Sequence, residues 1–276
     1  MRGSDGILHL AELPAILAPA EGMTRWPSHH LFDVRIDALS MDDAVAAAAD
    51  AVQNRRRLLF GVVNAAKLVN MRRDPILRRA VLGCDLILAD GMSVVWACRI
   101  LRRPLPQRVA GIDLMVRLLE AADRHRWRLY CLGAAEEVLC DLQLHISETY
   151  PSIQIAGMRN GYFGDDEEEQ VAGEIAKAAP DILFVGMTSP KKERFLSDWS
   201  RALQVPVCHG VGGAFDVLSG KVKRAPRLFQ RLGLEWAYRI MQEPGRLWKR
   251  YLVTNTIFCW LLFLEFMASL RPSSRA

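Results

Sequence analysis

An aspartate that could act as a general base directly follows one of the buried strands predicted from the sequence. The predicted strand Asp85–Ala89 is followed by Asp90 and Gly91, after which a helical pattern begins. Ligands of parallel α/β sheets bind beyond the carboxyl ends of the strands, and general bases are often found there. Asp90 is therefore a candidate base. The alternative is a structural role, in which Asp90 caps the helix that begins at Gly91.

Two other predicted strands also end in residues that could contact a ligand. Asn64 follows the apolar run Leu58–Val63, and the glycine-rich stretch GVGGAFD, Gly210–Asp216, follows the run Val205–Cys208. Glycines in such a turn let backbone N–H groups approach a phosphate. The turn is therefore a candidate nucleotide contact, and an ordinary tight turn is the alternative.

Basic side chains that could bind phosphate oxygens occur in one loop and near the C-terminus. Arg108 lies in a loop between two predicted helices, where it could clamp a phosphate. Pro244 and Gly245 interrupt the C-terminal helical pattern, so one helix is predicted to end near Glu243 and another to begin at Pro244. The basic side chains of this region are Arg239, Arg246, Lys249 and Arg250, for which a solvated basic face is the alternative.

The elements that must position these residues alternate between short apolar runs and helical patterns. The segment that begins with Ser40 has the cap and first-turn acids of a helix start. The alternation predicts an α/β fold, Rossmann-like, with a mostly parallel sheet and flanking helices. The predicted strands are Leu31–Ile36, Leu58–Val63, Asp85–Ala89, Arg128–Leu132, Ile153–Ala156, Ile182–Val185 and Val205–Cys208.

The 276 residues divide by composition into three predicted parts. Residues 1–30 are predicted to be a flexible extension, because the apolar patch within them is broken by Glu12 and Pro14 and lacks a clear cleavage site. Residues 31–235 form the predicted α/β domain. Residues 236–276 form a basic amphipathic appendage that is expected to face a membrane.

Charge and hydropathy of the C-terminal region point to an anionic partner. From Lys221 onward, eleven Lys/Arg oppose three acids, a net +8, whereas the whole chain carries +5. The apolar run Ile257–Leu264 is far shorter than the ~20 residues that a membrane span needs, and Glu265 follows it. An interfacial helix is therefore predicted. The alternative is packing on the domain or on a second subunit. Truncation after about Trp236 is expected to give a more soluble but inactive protein.

The six cysteines form no CxxC pair and no Cys/His cluster, so neither a zinc site nor a disulfide framework is predicted. Most lie in apolar runs, which is typical of small buried hydrophobic residues in a reducing compartment. An early GxGxxG with an acid about twenty residues later is also missing, which disfavours a dinucleotide site.

Taken together, six stretches resemble the WecG/TagA/CpsF family of bacterial glycosyltransferases. Their order and spacing match over about residues 31–251, and the succession KRAP, GLEW and EPGR in the last stretch is specific. The matching stretches are Val62–Pro75, Leu86–Trp96, Leu105–Met115, Asn160–Glu169, Asp181–Phe195 and Gly210–Tyr251.

The resemblance implies an inverting transferase that moves a sugar from a UDP-linked donor to a polyprenyl-diphosphate-linked saccharide, without a metal or other cofactor. By position, Asp90 is the implied general base. Asn64, Gly212, Gly213, Asp216 and Lys192 are the implied donor and nucleotide contacts, with Asp216 on the ribose. The implied phosphate or acceptor contacts are Arg108, Arg239, Arg246, Lys249 and Arg250.

Two residues depart from the pattern of this family. Val62 stands where a threonine is frequent, and Lys192 stands where a glutamine is expected near the donor sugar. Both changes point away from the N-acetylmannosamine-type donors best known in the family. UDP-glucose is therefore a candidate donor beside UDP-N-acetylmannosamine and UDP-N-acetylmannosaminuronic acid.

The expected partners are the UDP-sugar, the lipid-linked acceptor and an anionic membrane surface, with a homo-oligomer possible and no nucleic acid. The expected location is cytoplasmic, at the inner face of the plasma membrane. Two other classes of function remain open: a nucleotide-dependent oxidoreductase, and a non-catalytic module whose basic tail binds nucleic acid or membrane.

Overall fold

The computed structural model describes residues 26–270, without the side chains of Arg231 and Arg246. Most of the predicted N-terminal extension lies outside these residues. The first strand, β1, begins at Ser28, three residues before the predicted start of the domain. The predicted boundary between domain and appendage at residue 236 falls at the start of the helix Glu235–Gln242.

Within residues 26–270, eight strands form two sheets. The predicted single strand Leu31–Ile36 is wrong, because Phe32 and Asp33 adopt φ angles of 53° and 61° and turn the chain into a hairpin. The other six predicted strands are present, Leu58–Val63 with the predicted ends and the other five with shifted ends. The strands are β1 (Ser28–Leu31), β2 (Val34–Asp37), β3 (Leu58–Val63), β4 (Leu86–Ala89), β5 (Arg128–Gly133), β6 (Gln154–Arg159), β7 (Ile182–Gly186) and β8 (Val207–Gly210).

Twelve α-helices occur in the described part of the chain, with a short 3₁₀ helix over Asp165–Glu167. The predicted helix start at Ser40 is confirmed, because its hydroxyl accepts from the Asp43 N–H and the Asp43 carboxylate accepts from the Ser40 N–H. The helices are α1 (Met41–Gln53), α2 (Ala65–Met71), α3 (Pro75–Leu82), α4 (Met92–Ile100), α5 (Gly111–His125), α6 (Glu136–Thr149), α7 (Glu168–Ala178), α8 (Lys191–Trp199), α9 (Ala214–Leu218), α10 (Arg227–Arg231), α11 (Glu235–Gln242) and α12 (Pro244–Ser269).

The main sheet has six parallel strands in the order β4-β3-β8-β7-β5-β6. The predicted Rossmann-like α/β class is confirmed. Because all strands run in the same direction, their carboxyl ends meet at one edge of the sheet. The strands β4, β3 and β8 are neighbours, so the residues that follow them are brought side by side.

Helices cover both faces of this sheet, which explains why its central strands are mostly apolar. Helices α1, α5, α6 and α9 pack on one face. On the other face, α2, α3 and α4 pack beside the β1-β2 hairpin, and α7 and α8 pack further along the sheet.

The long helix α12 packs on the domain through one of its faces. Leu247, Thr254 and Phe258 are buried, and they recur at spacings that put them on one side of a helix with Glu265. The Phe258 ring meets the Phe32 ring edge-on at a centroid distance of 5.3 Å. The Glu265 carboxylate accepts from the Phe32 N–H at 2.9 Å and pairs with Arg103 at 2.5 Å. The acidic residue that follows the apolar run of α12 is thus explained by tertiary contacts.

Candidate active site

The carboxyl edges of β3 and β4 bring Asn64 and Asp90 into contact. Asn64 is the N-cap of α2, where its side-chain oxygen accepts from the Lys67 N–H at 3.0 Å. The side-chain nitrogen of Asn64 donates to Asp90 Oδ2 at 3.2 Å. One asparagine therefore starts a helix and orients the neighbouring carboxylate.

The second oxygen of Asp90 is fixed by a helix distant in sequence. Asp90 Oδ1 accepts from the Gly111 N–H at 2.9 Å, and Gly111 is the first residue of the 15-residue helix α5. The positive end of the α5 dipole favours a negative charge at this position. The predicted capping of the helix after Gly91 is wrong, because Gly91 is itself the N-cap of α4 and that cap has no side-chain hydrogen bond.

A buried histidine on β8, for which no role was predicted, contacts the carbonyl group of Gly111. His209 Nε2 lies 2.9 Å from the Gly111 carbonyl oxygen, and the ring lies edge-on to Phe60 and Phe184. Burial lowers the pKa of His209 to about 4, although the Gly111 contact opposes this shift. The imidazole is therefore neutral at pH 7, and Nε2 donates its proton to the carbonyl. A histidine inside the apolar run VPVCHG was the available signal.

Two lysines share one buried glutamate at the base of this edge. Lys67 Nζ and Lys192 Nζ each lie 2.8 Å from Glu193 Oε1. Burial raises the pKa of the Glu193 carboxyl, but the two ammonium groups outweigh burial and bring it to about 2. Burial, together with the like charge of Lys67, lowers the pKa of Lys192 to about 8. Lys192 was predicted as a site residue, but its two partners Lys67 and Glu193 were not.

The glycine-rich turn lies against Lys192. Gly212 has a φ angle of +57°, which favours glycine, and a Cβ built on it would lie 3.9 Å from Lys192 Nζ. The Val211 N–H donates to the Val185 oxygen, which fixes the turn to β7. Gly213 is exposed, and Asp216 is half-buried in α9.

Arg108 lies in the loop between α4 and α5, as predicted, and contacts two carboxylates. Its guanidinium is 3.2 Å from Glu235 of α11 and 3.5 Å from Asp113 of α5. Asp113 is also 2.7 Å from Arg224. These pairs connect α11 and Arg224 to α5 and to the loop that leads into it. The C-terminal residues before α12 therefore lie near the start of α5, where the Gly111 N–H binds Asp90.

The remaining candidate basic residues with described side chains are exposed on α11 and α12. Arg239 is exposed, one helical turn after Glu235 and on the same face of α11. Lys249 and Arg250 are exposed on α12, and the Lys249 ammonium lies 5.6 Å from the Trp248 ring centre. The predicted contact Arg246 lies outside the described side chains. The predicted helix break is confirmed, since α11 ends at Gln242 and α12 begins at Pro244.

Comparison with known proteins decides the family. The model of the glycosyl transferase WecG/TagA/CpsF family matches residues 29–272, a range that includes every candidate site residue. The chain belongs to this family. It is therefore a glycosyltransferase, and the oxidoreductase and non-catalytic alternatives are set aside.

Two relatives of this glycosyltransferase carry the same name, N-acetylglucosaminyldiphosphoundecaprenol N-acetyl-beta-D-mannosaminyltransferase. The relative from Bacillus spizizenii (strain ATCC 23059 / NRRL B-14472 / W23) is 40% identical over 183 residues, which cover 66% of this chain and 68% of the relative. The relative from Bacillus subtilis (strain 168) is 41% identical over 168 residues, which cover 61% and 64%.

A metal site was not predicted for this glycosyltransferase. Within residues 26–270, the structure brings together no group of three or more His, Cys, Asp and Glu side chains that could hold a metal ion. Metal independence remains a prediction that an activity assay must test.

The double role of Asn64 can be separated by two substitutions. Asn64→Ala removes the N-cap of α2 and is expected to lower the free energy of unfolding by about 1 kcal/mol. Asn64→Ser keeps a capping oxygen without adding a charge beside Asp90 and is expected to retain most of that stability, while it removes the amide N–H donor to Asp90. Urea denaturation of both variants measures the difference. Equal losses would contradict a capping role for the Asn64 side chain.

Proposed function

We propose that this enzyme is an inverting, metal-independent glycosyltransferase that moves a sugar from a UDP-sugar to a polyprenyl-diphosphate-linked saccharide. The observation that carries the proposal is the Asp90 carboxylate at the carboxyl edge of the sheet, held by Asn64 and by the Gly111 N–H. Both relatives are named for transfer to N-acetylglucosaminyldiphosphoundecaprenol, which supports the lipid-linked acceptor.

In this mechanism Asp90 removes the proton from the attacking hydroxyl of the acceptor. The hydroxyl oxygen forms the new bond to the anomeric carbon while the bond to UDP breaks on the opposite face, so the configuration inverts. The two hydrogen bonds use one lone pair on each oxygen of Asp90 and leave the others for the acceptor proton. The geometry therefore suits a base whose orientation is fixed before the substrate arrives.

The negative charge of the leaving diphosphate must be stabilised, and we assign this role to the glycine turn and nearby cations. Backbone N–H groups near Gly212 and Gly213, and the ammonium of Lys192 beside them, are the donor side of the proposed site. Asp216 is the proposed ribose contact. The donor sugar is of the UDP-glucose type or the UDP-N-acetylmannosamine or -mannosaminuronic acid type.

We propose that the protein docks on the cytoplasmic face of the plasma membrane, and the outward face of α12 supports contact with a membrane. The segment Leu247–Ser269 is long and apolar enough to cross a membrane, but Phe258 and Glu265 within it contact the domain. We therefore propose that α12 lies on the bilayer surface, with basic residues attracted to anionic lipid. The residues exposed on the outward face include Lys249, Leu252, Trp260, Phe263 and Met267.

The direct test is a transfer assay with defined substrates. The purified chain is incubated with short-chain polyprenyl-diphosphate N-acetylglucosamine and each of several UDP-sugars, in EDTA and in Mg²⁺. Mass spectrometry identifies the product, and NMR gives its anomeric configuration. We expect one donor to give an inverted product at equal rates in both buffers. Transfer only with Mg²⁺, retained configuration, or transfer only from donors with another nucleotide would each contradict the corresponding part of the proposal.

A further inference from the structure

The buried cluster of Lys67, Lys192 and Glu193 contains more positive than negative charge. The exposed fractions of the three side chains are 12%, 9% and 9%, and both ammonium groups contact the same oxygen, Glu193 Oε1. One carboxylate cannot neutralise two cations. Buried charges are retained in proteins when they are paired or when they bind a ligand.

The groups that face Lys192 come from four elements. Lys67 on α2 repels its ammonium, and Glu193 on α8 attracts it. Asp90 after β4 also favours the charged form of Lys192, and His209 on β8 is neutral because burial lowers its pKa to about 4. The net charge of the cluster is therefore zero only if the negative charge of Asp90 is included. When Asp90 accepts the proton of the acceptor, one positive charge is left uncompensated.

The Lys192 ammonium lies beside the glycine-rich turn, where a ligand could reach it. Its side chain passes beneath Gly210, and its ammonium lies beside Gly212. Within the described part of the chain, Glu193 is the hydrogen-bond partner of the Lys192 ammonium and uses one of its three N–H donors. Two donors therefore remain for a ligand.

Of the two positions at which the chain departs from the residues expected in its family, only Lys192 adds a charge. The Val62 side chain faces α5, since a Cβ built on Gly111 would lie 3.6 Å from Val62 Cγ2, so it lies on the other face of the sheet from α8. The preference of the site for an anion therefore rests on Lys192.

We propose that the Lys192 ammonium binds an anionic oxygen of the donor, either on the diphosphate or on the carboxylate of an acidic sugar. This inference rests on the proposed function and deepens it, because it assigns the anion-binding group of the donor site. During transfer, the same cation stabilises the UDP that leaves while Asp90 takes up a proton.

A pH dependence follows from this assignment. The pKa of Lys192 in the free protein is about 8, lowered from 10.5 by burial and by Lys67. A bound anion favours the charged form and raises this pKa again. Below pH 8 the lysine is already charged and affinity is constant. Above pH 8 binding requires uptake of a proton, so affinity falls by up to about tenfold per pH unit.

Calorimetric titration tests the proposal on the full chain with three ligands: UDP, UDP-glucose and UDP-glucuronic acid. Lys192→Met removes the charge, Lys192→Arg keeps it, and Lys177→Met is the control for the loss of a lysine outside the cluster, because Lys177 is exposed in the last turn of α7. Thermal unfolding establishes that each variant is folded. Titrations at pH 6.5, 8 and 9.5 in two buffers of different ionisation enthalpy count the protons taken up.

We expect Lys192→Met to weaken binding by about 10- to 100-fold, Lys192→Arg to weaken it less, and Lys177→Met to leave it unchanged within about threefold, because an exposed and distant charge is screened. Loss with all three ligands assigns the anion to the diphosphate, and loss confined to UDP-glucuronic acid assigns it to the sugar carboxylate. Equal affinities of Lys192→Met and the unaltered chain, equal losses in Lys192→Met and Lys177→Met, or absence of proton uptake above pH 8 would overturn the proposal. Failure of the unaltered chain to bind any UDP ligand would instead contradict the proposed function.

Discussion

Asp90→Asn is expected to lower the rate of sugar transfer by about 10²- to 10⁴-fold, the usual contribution of a general base. Asparagine has nearly the same shape as aspartate, and its amide oxygen can still accept the Gly111 N–H. It cannot take up a proton from the acceptor hydroxyl. The substitution therefore removes the chemistry while it preserves the contact with the start of α5.

Steady-state kinetics and a UDP titration separate loss of chemistry from loss of binding. The value of kcat is expected to fall while the Kd for UDP changes by less than about threefold. Asp74→Asn is the matched control, because Asp74 is also an aspartate before a helix, where it caps α3 by accepting from the Leu77 N–H. Asparagine caps as well as aspartate, so this control is expected to have normal kcat. A kcat near that of the unaltered chain in Asp90→Asn would exclude Asp90 as the base.

The sequence predicted the location of the site better than its internal contacts. Asn64, Asp90 and the glycine turn were predicted at strand ends, and they lie on neighbouring strands because the order β4-β3-β8 makes them adjacent. Apolar runs of this length are local signals, and parallel strands share one carboxyl edge whatever their order. The strand order itself depends on packing across the whole chain and was not predicted.

The contacts that orient Asp90 and Lys192 are long-range, which is why local patterns failed there. Gly111 is 21 residues from Asp90, and His209 is 98 residues from Gly111. Lys67 and Glu193 are 126 residues apart. Capping rules consider only the next helix in the chain, so they assigned Asp90 to the helix after it and missed α5.

Asp90 and Lys192 interact electrostatically. The ionised Asp90 favours the charged form of Lys192, and Lys192 opposes protonation of the neighbouring His209. In the proposed mechanism, transfer of a proton to Asp90 and release of an anionic UDP change the charge of the site in opposite directions: one negative charge disappears as another develops. A fixed cation near both groups would stabilise this exchange without a metal.

The C-terminal helix also differs from its sequence-based interpretation. An appendage that only touches a membrane could be removed to give a more soluble protein, as the sequence suggested for truncation after Trp236. In the structure, α12 packs on α2 and buries Phe258 against the hairpin that contains Phe32. Truncation is therefore expected to uncover part of the core and to yield an unstable, aggregating chain.

Two phenylalanines on α12 separate this structural role from membrane binding. Phe258 is 4% exposed and Phe263 is 51% exposed, on opposite faces of the same helix. Phe258→Ala is expected to lower the free energy of unfolding by about 3–5 kcal/mol. Phe263→Ala is expected to change it by less than about 0.5 kcal/mol.

Vesicle sedimentation with phosphatidylglycerol-containing liposomes supplies the second measurement. Phe263→Ala is expected to weaken the partitioning of the folded protein onto vesicles by several-fold, because it removes apolar area from the surface that meets the lipid. Phe258 has no such exposed area, so the fraction of Phe258→Ala that stays folded is expected to bind vesicles like the unaltered chain. If Phe263→Ala left vesicle binding unchanged while it abolished self-association in solution, the outward face of α12 would be a subunit interface and the membrane would be reached through another surface.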